Sequence, residues 1–207
     1  VTEIHPAMFN PANHFTASIL SGGTKKVTLR WPTDQQWAQR ARETKIKRRV
    51  LGGGRTVREK SPDTEADVQL FDAVHVAGGE AFDEFEKSAA IGKLETAEVV
   101  EVARKDDLFR ITLKVVGGTQ VSHRLRIPTQ RQMFAYQNSA VRVVDQRRTQ
   151  ELQMFLEPSE TLWNAIAEGV EGYAEGKQSV PITHKDTAVM ELLAVLNEQE
   201  DDTDPEA

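Results

Sequence analysis

Apolar and polar residues alternate over FTASIL at 15–20 and over KKVTLRW at 25–31. Alternation with period two predicts strands buried on one face. Ser21-Gly22-Gly23-Thr24 separates the two runs, and glycine supplies the positive φ that a hairpin turn requires. Pro32 closes the second strand because it has no N–H to give to a ladder. Thr33 predicts an N-cap for a helix starting at Asp34, with Trp37 and Ala41 on one face. KIKRRVLGGGRTVREK at 45–60 predicts a second hairpin turning at Gly52 to Gly54. Ser61-Pro62-Asp63 opens another helix, with Val68, Phe71 and Val74 among its apolar positions.

The same order returns later in the chain. When Leu29 is laid on Leu125, Arg30 falls on Arg126, Pro32 on Pro128, Thr33 on Thr129 and Gln36 on Gln132. LRWPT at 29–33 thus matches LRIPT at 125–129, and Gly22-Gly23-Thr24 falls beside Gly117-Gly118-Thr119. Pro62 falls on Pro158, and Ala66, Leu70 and Val74 fall on Leu162, Ile166 and Val170. The second copy has strands over 108–116 and 121–127, a helix carrying Met133, Phe134 and Tyr136, strands over 141–144 and 152–156, and a helix opened by Pro158. A recurring order of this kind predicts an internal duplication. The expected fold class is α+β: two related β-β-α-β-β-α units, antiparallel hairpins with helices packed on them, arranged about a pseudo-two-fold axis.

The expected organisation is an irregular N-terminal arm at 1–13, a first unit at 14–78, a linker helix and strand at 79–103, a second unit at 104–178, a C-terminal helix at 179–198 and an acidic tail at 199–207. Phe82, Phe85 and Ala89 stand at packing spacing on the linker helix. Val189, Leu192, Leu193 and Leu196 make the apolar stripe of the last helix. The tail is too polar to bury a core and is expected to be disordered.

Composition narrows the chemistry. The chain has 207 residues, of which 39% are hydrophobic and 28% charged, enough to bury a core. Aromatics make up 6%, so that core is expected to be mainly aliphatic. There is no cysteine, which excludes disulfides, thiolate zinc sites and a cysteine nucleophile. VTEIHPAMFNPANH has neither a basic nor an apolar leader region, so no signal peptide is expected and the expected location is cytoplasmic. SGGTKK and LGGGRT lack phosphate-loop spacing, and strand follows strand where a dinucleotide fold needs a helix. His5, His14, His75, His123 and His184 are scattered and read as surface residues. The acidic clusters at Asp83, Glu84 and Glu86 and at Glu95, Glu98 and Glu101 read as solvated faces. No catalytic residue, cofactor or metal is expected.

Net charge is −6, but it is unevenly spread. Arg42, Lys45, Lys47, Arg49, Arg55 and Arg58 lie in or beside the hairpin at 45–60 and are the candidate partner-binding residues. On a strand Lys45, Lys47 and Arg49 share a face. The plainest reading is a charged edge hairpin that resists strand-to-strand aggregation. Otherwise the patch suits an acidic protein partner, the chain's own acidic tail or a nucleic-acid backbone.

LRWPTDQQWAQRAR, the hairpin VLGGGRTVRE, and VPITHKDTAVMELLAVLNE with its acidic tail resemble small tailed-phage and prophage proteins, tail-assembly chaperones above all. The resemblance implies a non-enzymatic factor that binds virion proteins during assembly in the host cytoplasm, and it transfers no functional residue. The expected function is therefore a protein-binding assembly or structural factor. The alternatives are a nucleic-acid-binding module using the basic hairpin, and an enzyme with a pocket between the units.

Overall fold

The computed structural model describes residues 9, 14–20, 23–44, 46–50, 56–60, 64–95, 97–146, 149–173 and 175–201; for 46–50, 56–60, 141–154 and 198–201 it describes the backbone. In chain order the elements are β1 (His14–Leu20), β2 (Thr24–Arg30), α1 (Asp34–Glu43), β3 (Ile46–Val50), β4 (Thr56–Lys60), α2 (Glu65–Val74), β5 (His75–Gly78), α3 (Glu84–Glu95) and β6 (Glu98–Lys105). There follow β7 (Leu108–Lys114), β8 (Gln120–Arg126), α4 (Gln130–Ala140), β9 (Val141–Gln146), β10 (Thr149–Met154), α5 (Glu157–Ile166), β11 (Ala167–Glu171) and α6 (Ile182–Asp201). The protein is α+β and built from two related units. The glycine turns at 51–55 and the tail beyond Asp201 lie outside the described residues.

The repeated LRxPT stretch is a strand end, a proline stop and a capping box. Thr33 Oγ1 accepts from the Gln36 N–H at 3.2 Å, and Gln36 Oε1 accepts from the Thr33 N–H at 3.0 Å. Thr129 and Gln132 repeat the exchange at 3.4 and 2.8 Å. Each cap satisfies amides that the first turn leaves unpaired. Thr33→Ala is expected to cost about 1 kcal/mol in chemical denaturation, and Thr129→Ala a similar amount. In the second hairpin Gly117 and Gly118 both carry positive φ, at 79° and 78°, which explains the paired glycines there.

The correspondence reaches further than the sequence repeat. β5 and α3 follow α2 as β11 and α6 follow α5, so the helices expected as linker and C-terminal segments hold equivalent places. Individual contacts recur. Arg30 donates to the Ala73 carbonyl and Arg126 to that of Ala165, both at 2.7 Å. Lys87 stands over Phe71 and Lys185 over Trp163, both at 5.4 Å. Ala90, Ile91 and Leu94 are buried on α3 where Ala188, Val189 and Leu192 are buried on α6. A serine–aspartate hydrogen bond ties each helix pair, with the residues exchanged. Ser88 on α3 donates to Asp67 on α2, whereas Ser159 on α5 donates to Asp186 on α6 at 2.5 Å.

These contacts correct the alignment of the two copies. Leu70, Phe71 and Val74 match Leu162, Trp163 and Ile166, one helical turn from the match that the prolines suggest. Helix α5 ends at Ile166, and Val170 belongs to β11. The linker-helix face also differs from expectation. Phe82, Glu86, Ala90, Ile91 and Leu94 are buried, and Phe85 is 71% exposed.

Three sheets form, ordered β1-β2-β5, β4-β3-β10-β9 and β11-β8-β7-β6. The first and third are the units' own, with β2 pairing β5 as β8 pairs β11. The middle sheet is shared, with Ile46, Lys47 and Arg48 of β3 paired to Leu152, Glu151 and Gln150 of β10. A pseudo-two-fold axis would place β3 beside β9 or β4 beside β10 at the centre. Instead β3 meets β10, the counterpart of β4. The units are therefore related head to tail in this sheet, which corrects the two-fold expectation.

Each unit has its own core. Leu29, Trp31, Trp37, Phe71, Ile91 and Leu94 belong to the first, and Phe109, Leu125, Leu162, Trp163, Val189 and Leu192 to the second. All three tryptophans are at most 2% exposed, so aromatic residues weigh more in the core than the composition implies. Leu156 and Ile182 of the second unit pack into the first core, and Phe9 touches both.

Candidate functional site

Where the units meet, α1 lies against α6 and β10. Asp34 at the start of α1 accepts the Ile182 N–H at 3.0 Å, and Arg42 at its end pairs with Glu157 on α5. Burial pushes the Asp34 carboxyl up, against that hydrogen bond and the charge of Lys185. Trp31 contacts the rings of Phe9, Trp37 and His184 at 4.9, 5.8 and 5.9 Å.

Behind this aromatic layer runs a buried hydrogen-bond chain whose polarity is fixed. Trp163 Nε1 can only donate, and it meets His123 Nδ1 at 3.1 Å. The neutral His123 ring then carries its proton on Nε2 and donates to Tyr173 OH at 3.0 Å. The phenol in turn donates to His184 Nδ1 at 3.1 Å. His184 therefore carries its proton on Nε2, a buried donor without an acceptor among the described residues. The same imidazole meets Phe9 in T-shaped geometry at 4.7 Å and 87°. Both histidines are wholly buried, which corrects their reading as surface residues. Burial lowers the His123 pKa to about 3; burial, with His123 as neighbour, lowers that of His184 to about 3. Burial raises Tyr173 well above the usual phenol range. At neutral pH the chain holds no charge and has a single direction. Such a chain orients the rings and specifies their packing. One sequence signal points to it: His123 alternates with Val121 and Leu125 on the inward face of β8.

The first unit buries an ion pair of its own, at the contact of α1 with α2 and α3. Arg40, on α1, is 6% exposed. Its Nε contacts Asp67 at 2.6 Å and its Nη1 contacts Glu95 at 2.8 Å, with the guanidinium 5.6 Å from the Trp37 ring centre. The two carboxylates together hold the guanidinium pKa up against desolvation. Asp67→Ala leaves the guanidinium with the half-exposed Glu95 alone and Ser88 without its acceptor, and is expected to cost about 3 kcal/mol in urea unfolding, because removing a member of a buried ion pair leaves its partner undercompensated.

The candidate basic residues separate. Arg42 is engaged with Glu157, while Lys45 and Arg55 lie outside the described residues. Lys47 and Arg49 are on β3, and Arg58 is on β4. Strand β3 is interior, paired on both sides, so only the β4 half of the hairpin is an edge. The register sets Lys47 between Glu59 of β4 and Glu151 of β10, interleaving acid with base.

Among the grooves, one of about 420 Å³ lies between α4 and α6, lined by Met133, Tyr136, Phe155, Met190 and Leu193. Asp186 reaches it with a carboxyl that burial pushes up and the Ser159 hydrogen bond pulls down. Asp186 is the one carboxylate among the described residues that line it, with the Tyr136 hydroxyl directed to Met190 Sδ. A smaller groove of about 200 Å³ runs between α1 and α2 past Gln36, Arg40 and Gln69. Among the described residues, no group of three or more histidines and carboxylates is placed to hold a metal ion, and no helix is long and apolar enough to cross a membrane.

Fold and site together define a duplicated α+β protein whose units share one sheet, with no strand on the outer side of β4 or β9 among the described residues. Comparison with protein-family models, curated proteins and solved structures finds no match.

Proposed function

We propose that this chain is a non-enzymatic protein-binding assembly or structural factor. The observation that carries the reading is the order β4-β3-β10-β9: among the described residues, no strand pairs with the outer edge of β4 or of β9. An open antiparallel edge offers a row of backbone donors and acceptors to another chain. The interior adds support. Its buried polar side chains are engaged in ring orientation, helix pairing and ion pairs. The resemblance to tail-assembly chaperones fits the same class and makes virion proteins in a host cytoplasm the partners to try first.

Co-expression with the products of the neighbouring genes, followed by native mass spectrometry and hydrogen exchange, tests the reading. A stoichiometric complex is expected, with β4 or β9 amides protected on binding. A chain that forms no complex with those products or with itself, and shows no added protection at either edge, overturns it.

A further inference from the structure

The seam inside the chain is a contact between unlike surfaces. One side is α1 with β3; the other is β10 with the start of α6. Each side has a counterpart in the other unit. The counterpart of α1 with β3 is α4 with β9, and that of β10 with α6 is β4 with α3. The strands of the two counterparts, β9 and β4, are the outer strands of the shared sheet.

Burial separates the used surfaces from the unused ones. Trp37 and Arg40 of α1 are buried in the first unit's own core, and Ala38 is buried beside them, whereas Ala140 is the only buried residue of α4. Ala38 is 6% exposed and its counterpart Phe134 is 68% exposed. On the other side, residues 181 to 185 at the start of α6 are all buried. Thr183 is 6% exposed and its counterpart on α3, Phe85, is 71% exposed. One large exposed phenylalanine therefore stands at each end, at a position whose counterpart is buried on an element of the internal seam.

We propose that copies of this chain associate head to tail, the β9–α4 end of one seated on the β4–α3 end of the next, as the two units are seated within the chain. This names the partner of the open edges and rests on the protein-binding reading above. Polarity is consistent, since every neighbour in the shared sheet is antiparallel and β9 beside β4 continues that alternation. Carrying the β3–β10 register over to the ends sets Arg142 opposite Glu59, Val143 opposite Arg58 and Val144 opposite Val57. A contact between unlike surfaces does not close on itself as a two-fold dimer does; it builds a ring or an open filament. The contact between copies is weaker than the one within. Thr64 and Glu84 stand where Leu156 and Ile182 do, and Gln130 and Asn138 stand where Asp34 and Arg42 do. Association is accordingly reversible and concentration-dependent.

The test uses the full chain and two variants, Phe134→Asp and Phe85→Asp, each blocking one end at an exposed position. Sedimentation velocity from micromolar to millimolar concentration is expected to show multimers for the unaltered chain and monomers for each variant alone. An equal mixture of the two variants is expected to stop at dimers, because each retains one competent end. Hydrogen exchange on the unaltered chain gives an independent measure, in which β4 and β9 amides gain protection together as concentration rises. A monomer at every concentration overturns the proposal, as does a variant that associates like the unaltered chain. If the chain stays monomeric yet complexes with a neighbouring gene product, self-association is refuted and the protein-binding reading stands.

Discussion

Lowering the pH from 7 to 5 is expected to remove about 4 kcal/mol from the unfolding free energy, through two imidazoles that stay neutral when folded. His123 and His184 have folded pKa values of about 3, against about 6.5 for an exposed histidine. Between those values the unfolded chain binds protons that the folded chain does not, so stability falls as pH falls. The contribution is fully present above about pH 6.5 and is lost progressively towards pH 3. Asp34 and Asp186 act in the opposite direction, since burial raises their carboxyl pKa values and the folded state keeps those protons more readily. They soften the acid limb near the carboxylate range without reversing the loss above it. Urea midpoints measured across this range check the slope. Imidazole nitrogen NMR should find both rings neutral at pH 5 and protonated on Nε2. His184→Gln, which keeps an acceptor for Tyr173, should halve the slope. A midpoint flat from pH 7 to 5 would refute the buried neutral chain.

Trp163→Ala should cost about 4 to 5 kcal/mol, close to the whole stability of many domains of this size. The side chain is wholly buried and lies under Lys185. It also supplies the proton that His123 Nδ1 accepts, which sets the direction of the whole chain. The first unit provides an internal comparison, because Phe71 holds the matching place under Lys87. Trp163→Phe installs the first unit's own residue, keeps much of the packing and removes the N–H. It should cost about 1 to 2 kcal/mol, the usual cost of an unpaired buried acceptor, plus a small packing loss. Equilibrium unfolding separates the two contributions. Equal costs for both variants would mean that the hydrogen bond carries the effect and the ring volume does not.

The duplication was legible because its signals are local. The glycine turns, the proline stop and the Thr-x-x-Gln cap act within a few residues, and each copy retains them. The second half of each unit was less legible. Pro62 precedes its helix, whereas Pro158 lies in the first turn of α5, so matching the prolines shifts the copies by one turn. HVAG and AEGVE are too short and too poor in β-branched residues to announce β5 and β11. The seam was hidden for a different reason. The β3–β10 pairing joins residues about a hundred apart, and no periodicity encodes which edge meets which. His123 and His184 read as surface residues in the sequence because a lone histidine carries little pattern, and only the fold shows that two of them share one phenol. The basic residues stood out by composition, but register decides what a charge neighbours, and it sets Lys47 among glutamates.

The exchanged serine–aspartate bonds bear on how a duplicated chain avoids confusing its own halves. Helix α3 belongs on α2 and α6 on α5, yet the four helices present similar apolar stripes. Crossing the pairs would set Asp67 against Asp186, two carboxylates in a dry contact, and Ser88 against Ser159, with no anion to receive either hydroxyl. The correct pairs each bring one hydroxyl to one carboxylate. The same bond written in opposite directions thus works as a key that fits only its own half. Restoring sameness with Ser159→Asp and Asp186→Ser together would keep the second pair bonded, leave the Arg40–Asp67 pair in place and erase the distinction. The refolding yield of that double variant measures what the distinction contributes.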